Sequence, residues 1–133
     1  MVVTGLRPIK SIRDLNVYQM AYQLAIEIFE LTKAFPREET YSLTDQLRRS
    51  SRSVASNIRE GYGKRRYEQL FVRHLNDALG SSEETRTWLA FSRDAKYLNS
   101  EQYSQLEERY AEVSAMLYAL MDVWHRIPKE SDL

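Results

Sequence analysis

The chain of 133 residues contains no cysteine, three prolines and four glycines. The absence of cysteine excludes disulfides, thiolate catalysis and cysteine-ligated metals. Because strand-rich domains need many tight turns, the scarcity of glycine and proline favours long helices with few connections. No apolar run approaches the roughly 20 residues of a membrane span, and the N-terminus lacks the apolar segment of a signal peptide. We therefore expect a soluble, cytoplasmic protein without membrane contact.

The apolar residues that are present follow helical spacing. Near the C-terminus they alternate intervals of three and four: Tyr103, Leu106, Tyr110, Val113, Leu117, Leu120, Trp124 and Ile127. The pattern predicts one domain over residues 1–133, with helices at about residues 14–34, 42–60, 64–97 and 100–127. Four such helices with short connections form an all-α, up-down-up-down four-helix bundle. The first and third helices each carry two apolar stripes, which favours a homo-oligomer.

Four positions predict local features of these helices. Asn99 and Gln102 have the spacing of a capping box at the start of the fourth helix. Gly61 is expected to end the second helix in the left-handed conformation. Gly80 lies inside the third helix, where a glycine costs about 1 kcal/mol relative to alanine. A close approach by another helix would explain it.

Catalytic and metal-binding patterns are largely missing. A di-iron bundle needs a Glu-x-x-His motif on each of two helices, whereas the nearest match is Asp122-x-x-His125, which we interpret as a surface pair. There is no Gly-x-Ser-x-Gly elbow, and "GYGKRR" lacks the Gly-Lys-Ser/Thr ending of a phosphate loop. His74 is predicted to be a hydrogen-bonded core or interface histidine. We expect no enzyme activity, no catalytic residue, no metal and no cofactor.

The net charge of zero is unevenly distributed. Residues 48–73 carry eight cations against two acids, a balance of +6, whereas residues 1–47 carry −1 and residues 74–133 carry −5. A basic segment of this kind is typical of a surface that binds anions or nucleic acid. The predicted nucleic-acid-binding residues are Arg48, Arg49, Arg52, Arg59, Lys64, Arg65 and Arg66.

The position of these cations on the helices carries the prediction. On a helical wheel the arginines of the second helix fall opposite its apolar residues. The three cations Lys64–Arg66 are expected to open the third helix, at a cost of a few tenths of a kcal/mol against its dipole but beside free N–H groups. Tyr62 and Tyr67 flank them and are candidates for base stacking. Solubility, or contact with an acidic neighbouring subunit, are the alternative roles.

A second set of polar residues favours a structural role. Asn57 falls at the edge of the apolar arc of the second helix, and a buried amide costs several kcal/mol unless it is hydrogen-bonded. Its expected partner is Ser81 or Glu84 on the third helix. We predict a polar network of Asn57, Glu60, Ser81 and Glu84, with a ligand site as the alternative.

The segment "FPREETYSLTDQLRRSSRSVASNIREGYGKR" resembles a known protein family. The matching positions are Phe35, Pro36, Glu39, Leu43, Gln46, Leu47, Arg48, Arg49, Asn57, Ile58, Glu60 and Gly61, followed by Gly80, Ser81 and Glu84. This family of four-helix bundles is encoded in intervening sequences of bacterial 23S ribosomal RNA genes. The resemblance covers about residues 11 to 98, and Arg59 departs from it, since the family usually has a small residue there.

The resemblance implies a ring-shaped homopentamer built from the four-helix bundle. It also implies a relation to the accessory proteins of diversity-generating retroelements, which are similar to nucleic-acid-binding partners of a reverse transcriptase. Together with the basic segment, this predicts a non-catalytic oligomeric adaptor that binds RNA or DNA. The alternative is a protein–protein interaction scaffold for a partner encoded nearby, with no nucleic-acid role.

Overall fold

Four long helices make up the fold of the computed structural model, which describes residues 8–127. They are α1 (Asn16–Thr32), α2 (Leu43–Gly63), α3 (Glu68–Asp94) and α4 (Ser100–Val123). Short 3-10 turns precede α1, connect α1 to α2 and follow α4. No strand occurs in this part of the chain, which confirms the all-α prediction.

The helices pack in the order in which they occur along the chain. α1 contacts α2, α2 contacts α3, α3 contacts α4, and α4 returns to α1. Because the connections over residues 33–42, 64–67 and 95–99 are short, neighbouring helices run in opposite directions. The predicted four-helix bundle is therefore confirmed.

The core lies where the apolar stripes of all four helices meet. Its fully buried side chains include Leu24, Ile28, Leu47, Ile58, Phe71, Leu75, Leu89, Tyr110 and Leu117. Each buried aliphatic side chain of this size contributes about 1.5–3 kcal/mol relative to an exposed one. On α4 the predicted apolar residues Leu106, Tyr110, Val113 and Leu117 are all buried, so helical spacing identified the inward face of that helix correctly.

The capping box at the start of α4 is confirmed. The Gln102 backbone N–H donates to Asn99 Oδ1 at 2.7 Å, and the Asn99 backbone N–H donates to Gln102 Oε1 at 2.9 Å. Two N–H groups that have no partner within the helix are thereby satisfied. Asn99 has extended backbone angles, as an N-cap residue does.

Gly61 does not end α2, so that prediction is wrong. The helix continues through Gly61 to Gly63. Gly61 is instead the point of closest approach to α3, because a Cβ there would lie 2.4 Å from His74 Cβ and 3.1 Å from Phe71 Cδ1. The absence of a side chain lets the two backbones come together at this position.

Gly80 does not mark a close helix approach, and this prediction is also wrong. It is exposed on α3, and a Cβ there would have no neighbour within 4 Å. The left-handed residue of the bundle is Lys96, with φ of 66°. Lys96 N–H donates to Arg93 O at 2.9 Å, and Tyr97 N–H donates to Ser92 O at 2.9 Å. These two bonds form a Schellman motif with lysine at the usual glycine position, and α3 therefore ends before residue 97.

Candidate functional site

Three arginines of α2 lie on the side of the helix that faces α1: Arg48, Arg52 and Arg59. Arg48 is half-buried, its Nε donates to Thr32 Oγ1 at 2.9 Å, and its guanidinium lies 4.5 Å from the centre of the Phe29 ring. Arg52 lies 5.6 Å from the same ring. The expectation that this stripe points directly away from the bundle is therefore wrong for Arg48. A helix in a bundle has neighbours on both flanks, and a single-helix wheel does not include them.

A groove of about 510 Å³ runs between α1 and α2 beside these arginines, and we call it the α1–α2 groove. It is lined by Tyr18, Tyr22, Ala25, Ile26, Phe29, Arg52, Ala55, Ser56 and Arg59. Tyr22 is 55% exposed, and its ring lies 6.1 Å from that of Tyr18. The two arginines on its edge therefore adjoin an aromatic surface that remains open.

The sequence interpretation missed the contribution of α1 to this site. Tyr18, Tyr22 and Phe29 belong to one of the two apolar stripes of α1, and the presence of two stripes was interpreted only as favouring a homo-oligomer. The sequence did contain an indication of the site, because these three aromatic residues lie on a second apolar face of α1 that packing against one neighbouring helix does not require. Only the packing of α1 against α2 brings this face beside Arg52 and Arg59.

The three cations Lys64–Arg66 follow the C-terminus of α2 and do not open α3, which corrects the expected helix start. α2 ends at Gly63 and α3 begins at Glu68. Arg65 Nη1 donates to Tyr62 O at 3.0 Å, so it satisfies a carbonyl group in the last turn of α2. Cations at a helix C-terminus complement the dipole, and the expected electrostatic cost is absent.

The two tyrosines beside these cations have different surroundings. Tyr62 is 7% exposed and packs edge-on against Phe71 with ring centres 6.2 Å apart. The guanidinium of Arg65 covers it at 4.0 Å from the ring centre. Tyr62 is therefore closed to a stacking base, contrary to expectation, whereas Tyr67 is exposed.

A chain of polar contacts joins α2 to α3 through Asn57. Its Nδ2 donates to Ser53 O at 3.0 Å and to Ser53 Oγ at 3.1 Å, and Ser53 Oγ shares a hydrogen bond of 2.9 Å with Ser81 Oγ. Asn57 Oδ1 lies 3.3 Å from His74 Nδ1. Ser53 and His74 are thus the residues through which Asn57 reaches α3, and neither was predicted in that role.

Glu60 and Glu84, the two acidic members of the predicted network, have different surroundings. Glu60 Oε2 lies 3.3 Å from Lys64 Nζ and 3.5 Å from His74 Nε2, so it adjoins the same chain of contacts. Lys64 Nζ lies 3.1 Å from His74 Nε2. Glu84 is separate, because it is exposed and accepts a hydrogen bond from Trp88 Nε1 at 3.0 Å.

The arginines divide into two electrostatic groups. Arg86, Arg93 and Arg109, on α3 and α4, each form a salt bridge with a carboxylate. The exposed arginines of α2 are Arg49, Arg52 and Arg59, and we call them the α2 arginine row. Within residues 8–127, none of them forms a salt bridge with a carboxylate. These guanidinium groups keep their donors available for an external anion.

Neither a metal-binding cluster nor a membrane-spanning helix occurs in the described part of the chain. Among the described residues, no three His, Cys, Asp or Glu side chains are grouped so that they could hold a metal ion. Over residues 8–127, no helix is both long enough and apolar enough to cross a membrane. The arrangement with the clearest chemical capability is the α2 arginine row beside the α1–α2 groove.

Comparisons with known proteins agree with the fold. The model of the 23S rRNA-intervening sequence protein family matches residues 13–119. The chain is similar to a crystal structure of a protein with unknown function from the S23 ribosomal protein family of Bacteroides thetaiotaomicron. The two share 27% sequence identity with a TM-score of 0.72, over 79% of this chain and 97% of the other. No functionally curated protein matches the chain.

Proposed function

The chain belongs to the family of 23S rRNA-intervening sequence proteins, and we propose that it is a non-catalytic oligomeric adaptor that binds the backbone of RNA or DNA. The observation that carries this proposal is the α2 arginine row, whose members lack a carboxylate partner within residues 8–127. The relation to retroelement accessory proteins that the family resemblance implies would fit the same proposal.

The spacing of the row suits a phosphate backbone. Arg52 and Arg59 are seven residues apart on one helix, which places their Cα atoms about 10 Å apart along the axis. One strand of B-form DNA rises about 3.4 Å per phosphate, so this distance spans about three phosphates. Guanidinium groups bind phosphate oxygens through paired N–H donors. Contacts of this kind position a nucleic acid without reading its sequence.

Oligomerisation would extend this surface. Exposed apolar side chains occur on three helices, and they include Ile26 on α1, Phe91 on α3 and Tyr118 on α4. Apolar surface of this kind tends to mark an interface. In a closed homo-oligomer, rotational symmetry would copy the α2 arginine row onto every subunit and produce a continuous basic belt. The resemblance supplies the expected number of five subunits.

The test is an anisotropy titration of labelled RNA and DNA 20-mers at several salt concentrations. The variant is Arg49→Ser/Arg52→Ser/Arg59→Ser, which leaves Arg48 in its hydrogen bond with Thr32. The control is Arg13→Ser/Arg37→Ser/Arg126→Ser, which removes the same charge from exposed positions elsewhere. Since each phosphate contact contributes about 0.7–0.9 to the slope of log K against log salt, the variant should lower that slope by about 2–3.

Two results would contradict the proposal. Equal binding by the wild type and both variants would show that the row serves another purpose, and absence of binding at low salt would exclude the nucleic-acid role. Circular dichroism must show the same helicity for all three proteins. Light scattering tests the oligomer, and a monomer mass at micromolar concentration would contradict that part. The alternative function, a protein–protein scaffold, predicts an oligomer that binds neither RNA nor DNA.

A further inference from the structure

The α1–α2 groove combines an apolar, aromatic surface with a cationic edge. Its floor and α1 wall are apolar and aromatic, with Tyr22 and Ile26 among the exposed apolar residues of the bundle. Its α2 wall carries Arg52 and Arg59. The volume of about 510 Å³ falls within the roughly 300–1,000 Å³ of sites that hold small planar ligands.

The aromatic residues of the groove are not equally available. Arg48 and Arg52 both lie over the Phe29 ring, at 4.5 Å and 5.6 Å from its centre, so that ring already has cationic neighbours. Tyr22 is 55% exposed and makes a tilted contact with Tyr18, at 50° between the ring planes. Because Tyr18 and Phe29 are half-buried, Tyr22 is the most exposed aromatic ring of the groove and the natural stacking surface.

We propose that the α1–α2 groove binds an unpaired nucleobase, so that the nucleic acid bound by this protein is single-stranded. The inference rests on the proposed function and specifies its ligand class. The base would stack on Tyr22, while the guanidinium groups of Arg52 and Arg59 hold phosphates of the same strand. This is the usual combination at single-strand sites, where a basic track follows the backbone and aromatic rings receive the bases.

The charge and shape of the groove favour a single-stranded nucleic acid over a duplex. The groove edge is cationic and contains no acidic residue, so it complements a polyanion. In a duplex the base faces are covered by stacking, and reaching Tyr22 would require extruding a base at a cost of a few kcal/mol. A duplex would therefore contact only the arginines. The groove should add affinity for single strands and none for duplexes.

The experiment compares single-stranded and duplex binding of four proteins. The probes are a labelled 20-nucleotide oligo(dT) strand and a 20-base-pair DNA duplex, titrated at one low salt concentration. The variants are Tyr22→Ala, Tyr22→Phe and the control Tyr41→Ala, which removes a tyrosine of 94% exposure from the connection between α1 and α2. Loss of one stacked base should weaken single-strand binding by about 5- to 150-fold.

The expected result is weaker oligo(dT) binding by Tyr22→Ala alone, with unchanged duplex binding by all four proteins. Tyr22→Phe retains a ring and should bind as the wild type does. The inference is overturned if Tyr22→Ala weakens both probes equally or neither. It is also overturned if that variant changes the oligomer mass without changing the ratio of the two affinities, since the groove would then hold a second copy of the chain.

The same titrations separate this inference from the proposed function. If the triple arginine variant weakens both probes while Tyr22→Ala affects neither, backbone binding stands and base stacking in the groove fails. If the wild-type protein binds neither probe at low salt, both fail together.

Discussion

Substituting alanine at Gly61 and at Gly80 should change stability in opposite directions. The two substitutions are chemically identical and both lie inside helices, so their effects on the unfolded chain largely cancel in the comparison. At Gly80 the new Cβ has no neighbour within 4 Å, and only the helix propensity changes. Gly80→Ala should therefore stabilise the protein by about 1 kcal/mol.

At Gly61 the new methyl group collides with the backbone-proximal part of α3. Its Cβ would lie 2.4 Å from His74 Cβ, whereas ordinary contact begins at 3.4 Å, so the helices must separate by about 1 Å. Overpacking of a core costs about 1–3 kcal/mol, and the upper end applies because neither Cβ can rotate away. The gain in helix propensity offsets about 1 kcal/mol of this. Gly61→Ala should therefore destabilise by about 2 kcal/mol.

Urea unfolding followed by circular dichroism measures the difference. The two variants should differ by about 3 kcal/mol, which corresponds to midpoints about 1–3 M apart for ordinary urea m-values. All proteins are compared at one concentration, because an oligomer gains stability with concentration. A Gly61→Ala midpoint at or above that of the wild type would refute the close approach of α2 and α3 at this residue.

Two further predictions concern the connection after α3. Lys96→Gly should raise the free energy of unfolding by about 1 kcal/mol, since only glycine adopts its φ of 66° without strain, whereas the control Ala95→Gly should lower it. A lower urea midpoint for Lys96→Gly would contradict this. The second prediction concerns Glu39, which accepts hydrogen bonds from Ser42 and from Tyr97, whose Oη lies 2.9 Å from Glu39 Oε2. These bonds lower the pKa of Glu39 below 4.5. The same bond to Glu39 raises the pKa of Tyr97 above 10.0. The stabilisation is therefore lost as pH falls below 4.5 and as it rises above 10.0. Tyr97→Phe should lose stability mainly between these limits, and a wild-type-to-variant gap independent of pH would rule this out.

The sequence by itself determined the helical architecture and its inward faces. Helical spacing depends only on local backbone geometry, so residues such as Leu106, Val113 and Leu117 could be assigned to the core before any packing was known. The capping box of Asn99 and Gln102 is equally local, because both partners lie within one turn. The family resemblance also rests on sequence alone, and the match over residues 13–119 confirms it.

The predictions that were wrong depended on which helices approach each other and at which position along their axes. The role of a glycine inside a helix depends on the atoms that its missing side chain would meet. Gly61 lies against His74, whereas Gly80 has no neighbour at that point. The start of α3 was misplaced because the run Lys64–Arg66 has no local stop signal, and it is the continuation of α2 to Gly63 that makes these cations a favourable C-terminal cluster.

The candidate site illustrates the same division. The α2 arginine row was identified from its charge and spacing, because both are properties of one segment. Three other features are contacts between different helices: Arg48 is hydrogen-bonded to Thr32, Tyr62 is buried against Phe71, and Tyr22 lies beside Arg52. Helical periodicity specifies the direction in which each side chain leaves its helix. The rotation and register of one helix against the next are set by the packing of the whole core.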